Sequence, residues 1–205
     1  MKIASYPPAL RPAIVTAFLL MIPLVAMRFT QEVNWTSFDF IVAGILLFGS
    51  GLTYELVSRQ GSTFVYRAAV GLAVGTALFL IWANLAVGVI GDEGDPANAM
   101  YVGVLAIGML GAVIARLQAQ GMAWVLFAMA AAQILAGVIA LIAFFPTVRD
   151  EPPGLVGFCM LNLFFAALFS GSALLFQAAA RAERHPARHA AERAANLGGR
   201  VFPQP

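Results

Sequence analysis

Between Tyr66 and Leu117 the chain carries two long apolar runs divided by the polar turn Gly91-Asp92-Glu93-Gly94-Asp95-Pro96-Ala97-Asn98. Each run is long enough to cross a bilayer as a helix, which takes about 20 residues for a hydrocarbon core of about 30 Å. Backbone at that depth must satisfy its own N–H and C=O groups, and within a single run only the α-helix does so. The same layout occurs once before this stretch and once after it. Six spanning helices are therefore expected, at about 13–29, 38–59, 64–90, 99–117, 122–145 and 155–180, followed by a basic tail over 181–205.

Composition points the same way. The 205 residues are 61% hydrophobic and 11% charged, whereas a soluble domain is about 25% charged. Such a chain lacks the polar residues to face water on every side. The expected fold class is all-α, a polytopic membrane helix bundle. Lys2 precedes the first run, but no small-x-small cleavage site follows it, so it is read as a span and not a signal peptide. Pro23 is expected to bend it. Val42 to Leu46, followed by Gly49 and Gly51, has the texture of Tyr101 to Leu105, followed by Gly108 and Gly111; Ser170-Gly171-Ser172 lies at a similar depth in the last span. These are either three tandem hairpins or unrelated apolar helices of like composition.

Orientation follows from arginine and lysine near the span ends. One side collects Lys2, Arg11, Arg59, Arg67, Arg116 and the tail arginines. The other has Arg28 and Arg149 beside Glu32, Asp39, Asp92, Glu93, Asp95, Asp150 and Glu151, carboxylates near enough in sequence to pair with them. Both termini are expected in the cytoplasm and the three acidic turns outside. Small residues allow close helix approach in lipid. Gly71 and Gly75, Gly103, Gly108 and Gly111, and the alanines of the fifth span are expected to face inward, with a dimer interface the other use of the Gly71–Gly75 step.

The candidate polar site has two parts. Glu55 lies near the arginine-rich end of the second span, with Arg59 four residues on and Arg67 across a short turn. A carboxylate at membrane depth is a functional candidate by default. The bland reading is an interfacial ion pair with Arg59 reaching for the headgroups. Asn84, Gln133 and Asn162 are the amides inside spans. They line a polar path or act as interhelical hydrogen-bonding groups; structural amides pair with each other or with backbone, and site amides face a cavity.

Other polar features carry less. The acidic turn does not have the spacing of a calcium-binding EF-hand. His185 and His189 share helical spacing, but Pro186 is expected to break the helix and no third ligand is evident, so no metal site is expected. Cys159 reads as a packing residue. The tail is expected to continue the sixth helix past the membrane and to end near Gly198-Gly199, with Arg181, Arg184 and Arg188 at anionic lipid headgroups. Lys2 is the single lysine and no histidine lies in a span, which excludes a retinal Schiff base and bis-histidine haem within the bundle. The phosphate-binding, zinc-protease, nucleophile-elbow and dinucleotide motifs are absent, and no basic stripe with interleaved aromatics points to nucleic acid. No cofactor and no enzymatic activity are expected.

The segment Glu32-Val33-Asn34-Trp35-Thr36-Ser37-Phe38-Asp39-Phe40, continuing through Gly44-Ile45-Leu46-Leu47 to Tyr54-Glu55-Leu56, resembles a pattern recurrent in small, multi-pass bacterial inner-membrane proteins of no known activity, as does Trp82 to Gly88. The resemblance covers the first two hairpins and implies a bacterial inner-membrane setting, with no site assignment. The functional expectation is a non-enzymatic accessory or scaffolding subunit, meeting other membrane subunits or further copies of itself. The alternative is a small permease or channel using Glu55 and the amides.

Overall fold

The computed structural model of the chain describes residues 7–30, 32–61, 63–86, 88–91 and 95–198, with side chains as far as Arg184. Among these the secondary structure is helical throughout: α1 (Leu10–Phe29), α2 (Ser37–Ser58), α3 (Phe64–Ala86), α4 (Ala99–Ile114), α5 (Ala119–Ala143), α6 (Phe145–Asp150) and α7 (Gly154–Gly198), with a single 3-10 turn, Pro96–Asn98, leading into α4. Six helices are long and apolar enough to cross a membrane, and α6 is not one of them.

Local chemistry sets the helix ends. Thr36 caps α2: its hydroxyl accepts from the Asp39 N–H at 3.3 Å while the Asp39 carboxylate accepts from the Thr36 N–H at 2.7 Å. This reciprocal arrangement satisfies two donors that an uncapped helix leaves open. α1 runs on through Pro23.

Several ends differ from the sequence expectation. α3 stops at Ala86, not near residue 90, and Val89 and Ile90 lie fully buried in the turn. Asn98 holds them there. Its Oδ1 accepts from the N–H of Val89 at 3.0 Å and of Ile90 at 2.9 Å, and its Nδ2 donates to the Ile90 carbonyl at 3.0 Å. Gly88 and Gly91 adopt φ of 78° and 62°, values at which a side chain is strained. α4 ends at Ile114 because Arg116 and Leu117 turn left-handed, with φ of 49° and 57°. The last apolar helix continues past the span to Gly198, as expected of the tail, but it stays helical through Pro186, so the break expected there does not occur. The side chains of His185, Arg188 and His189 fall outside the described residues.

The helices pack as a series, α1 on α2, α2 on α3, α3 on α7, α7 on α5 and α5 on α4; α6 caps α5 and α7. The pairs α1–α2 and α5–α7 are packed neighbours. The central pair, α3 and α4, is joined mainly at its two ends and lies open between them. α7 sits in the middle of the series. One of its faces buries Phe158, Phe165, Phe169 and Phe176, with the Phe165 ring 5.4 Å from Phe79 and the Phe176 ring 5.1 Å from Tyr66 of α3, and α5 buries an alanine-rich stripe that includes Ala123, Ala130, Ala136 and Ala140. Small residues permit the close approach that holds helices together in lipid. The Ser172 hydroxyl adds a bond to the Ala69 carbonyl of α3 at 2.8 Å.

Not every glycine faces inward. A Cβ on Gly111 would fall 2.6 Å from Val125, and one on Gly108 2.7 Å from the Met129 sulfur, so both glycines seat α4 on α5. Around Gly75 and Gly103 there is open space, and Gly71 only touches the Tyr54 ring. The Gly71–Gly75 step is thus not an internal packing surface.

Candidate functional site

Two of the three intramembrane amides meet. Gln133 of α5 is fully buried and Asn162 of α7 nearly so. The Gln133 Nε2 donates to Asn162 Oδ1 at 3.1 Å, the Tyr101 hydroxyl of α4 donates to the same oxygen at 3.0 Å, and Asn162 Nδ2 donates to the Phe158 carbonyl at 3.0 Å. Three helices are joined on one side-chain oxygen. Gly137 makes room for it, since a Cβ there would lie 3.1 Å from Asn162 Oδ1. Gln133 Oε1 is buried with no partner among the described residues. Asn84 stands apart: its Nδ2 donates to the Leu80 carbonyl one turn back at 2.8 Å, and its buried Oδ1 is likewise unpartnered. Tyr101 was not legible as a site residue. The signal is that a tyrosine in the first turn of a span, once buried, needs a partner for its hydroxyl.

Glu55 is bound by arginines from two helices. Arg59 Nη2 lies 2.8 Å and Nε 3.2 Å from Glu55 Oε1, and Arg11 Nη1 of α1 approaches to 4.0 Å. Arg67, expected opposite Glu55, makes no ion pair among the described residues, and neither does Arg28. The second cation is supplied by the first helix, which the short α2–α3 turn does not reveal. The arginine-rich end is tied elsewhere as well. The Tyr66 hydroxyl donates to the Leu117 carbonyl at 2.6 Å, its ring meets Phe176 edge-on at 5.1 Å, and Arg184 approaches Gln120 at 3.5 Å.

At the opposite end Trp35 packs 6.0 Å from Trp82. The Gly91 turn abuts the α6 region, where a Cβ would fall 2.7 Å from Glu151 Oε2 and 2.8 Å from Thr147. Asp95 caps the 3-10 turn through the Ala97 N–H at 2.7 Å, and Asp92 and Glu93 lie outside the described residues. No cluster suited to a metal occurs among the described residues. Arg149 pairs with Asp150 at 2.7 Å. That hydrogen bond holds the Asp150 carboxyl below the usual carboxylate range and raises the Arg149 guanidinium further.

A cavity of about 460 Å³ opens where α3 and α4 diverge. Its walls come from α2, α3, α4 and α5, with Phe176 of α7, and are almost wholly apolar. Glu55, Asn84, Gln133 and Asn162 are not among the lining residues. The Thr53 hydroxyl, which is, bonds to the Gly49 carbonyl of its own helix at 2.8 Å.

Fold and site together define a class: a multi-pass integral membrane protein whose core amides are bonded across helices. No protein-family model, curated protein or solved structure matches the chain.

Proposed function

We infer that the chain is a non-enzymatic protein of a bacterial inner membrane, an accessory or scaffolding subunit of a larger membrane assembly, with both termini cytoplasmic. The observation that carries this reading is the Tyr101–Asn162–Gln133 network. It directs the deepest polar groups at neighbouring helices and away from the cavity. The α1–α2 hairpin supports it. Both helices are attached at one edge of the series and are the least buried of the spans, leaving apolar faces for other subunits or further copies. Arg11, Arg59, Arg67, Arg116, Arg181 and Arg184 near one set of span ends support the orientation through the positive-inside preference.

Gentle extraction from the native membrane followed by native electrophoresis tests the reading. The chain is expected to migrate with stoichiometric partners. A lone monomer whose Glu55 reacts with water-soluble carboxyl reagents through the bundle would overturn it. Such a result would favour the permease or channel, for which the unpartnered Gln133 Oε1 is the supporting observation.

A further inference from the structure

The cavity between α3 and α4 combines an apolar interior with two cations at one end that have no ion-pair partner among the described residues. We propose that it holds one hydrocarbon chain of an anionic phospholipid whose phosphate lies against Arg67 and Arg116. This does not rest on the accessory reading, only on the bundle lying in a bilayer.

The dimensions fit. On α3 the lining stripe is Val70, Ala73, Val74, Ala77, Leu78 and Ile81. From Val70 to Ile81 is eleven steps along the helix, about 16 Å at 1.5 Å each. One leaflet of hydrocarbon is about 15 Å, half of a core of about 30 Å. Water is a poor occupant, because apolar cavities stay dry or take apolar ligands.

The charge fits as well. Arg67 precedes Val70 by three residues and so extends the lining face of α3 by one turn toward the end of the span. Arg116 immediately precedes Leu117, which itself lines the cavity. Both arginines are exposed, and neither has an ion-pair partner among the described residues, unlike Arg59, which Glu55 holds. The bond from the Tyr66 hydroxyl to the Leu117 carbonyl brings the two arginine-bearing segments together at this end. Arg116 and Leu117 are held there with φ of 49° and 57°, uncommon values outside glycine. An anionic head over an apolar slot is the complement of that arrangement, and basic pockets between spans at a membrane face are a recurrent way to bind such lipids.

The test uses the full chain in bilayers of equal phosphatidylglycerol and phosphatidylcholine, released into the gas phase for native mass spectrometry. One phosphatidylglycerol is expected to stay bound per chain. The double variant Arg67→Gln/Arg116→Gln is expected to lower its retention about 30-fold, taking about 1 kcal/mol for each arginine at an anionic surface. Ala77→Phe fills the slot without touching either arginine and is expected to lower retention of both lipids; Ala112→Leu takes its place if that variant does not fold. Equal retention of the two lipids by the natural chain would overturn the proposal. So would retention unchanged by filling, or a photoreactive group at Leu105 that captures polypeptide in place of lipid.

Discussion

Asn162 has the most to lose of any polar residue in the bundle. Its Oδ1 serves both Tyr101 and Gln133, so Asn162→Leu strands two buried donors at once. An unsatisfied buried group costs about 1–3 kcal/mol, while single hydrogen bonds between spans average about 0.6 kcal/mol. Asn162→Leu should therefore lose roughly 2 kcal/mol by unfolding in mixed micelles. Gln133→Leu removes one donor together with an oxygen that already lacks a partner, and should cost about 0.5 kcal/mol or less. Equal losses would show that the oxygen is not shared as described. At the acidic end, Asp150 titrates below its ordinary value of 3.8 because Arg149 hydrogen-bonds it. The carboxylate is favoured by folding, so its contribution is complete above the ordinary carboxylate range and disappears as pH falls through the lowered value. Arg149→Gln should return the titration of Asp150 toward 3.8, read by carboxyl carbon chemical shifts. Stability near neutral pH should not respond to pH through this pair.

At the scale of the helix, the existence of six spans was legible because bilayer thickness fixes how long an apolar run must be. Their ends were not. Val89 and Ile90 are as apolar as anything in α3; the left-handed Gly88, whose N–H bonds the Ala83 carbonyl at 3.1 Å, turns the chain out of the helix, and Asn98 holds the two residues in the turn. The left-handed turn at Arg116 and Leu117 has no glycine to announce it. The Glu55–Arg59 pair could be read from helical spacing, whereas Arg11 could not, since it comes from another element. Glycines show the same limit. Their presence reads as close packing, but which of them touch a neighbour depends on helix rotation. Gly111 faces the stiff β-branched Val125, Gly108 the adaptable end of Met129, and Gly75 nothing. Alanine substitutions should rank accordingly: Gly111→Ala destabilising by about 2 kcal/mol, Gly108→Ala by about 1 kcal/mol, and Gly75→Ala near zero. Thermal unfolding in detergent checks the order, and a destabilising Gly75→Ala would mean that this face is covered by another chain.

Which helix lies beside which was the least legible property of the whole molecule. Lipid tails are as apolar as leucine, so apolar faces carry little information about partners. Tandem hairpins would place α3 against α4, but α7 is the helix that packs on both α3 and α5. It is also the last span along the chain. Residues 1–91 hold α1 to α3, and residues 95–151 hold α4 to α6. A chain divided between Gly91 and Asp95 should reassemble when the second piece includes α7 and not when it stops at Glu151, as judged by co-purification of the two pieces. The consequence reaches into biosynthesis. While the ribosome is still making the sixth span, Gln133 and Tyr101 have no Asn162 to donate to. The five earlier spans must wait in the membrane as two groups, one of them with unmet polar contacts. Those contacts mark an unfinished chain, and the arrival of α7 removes the mark.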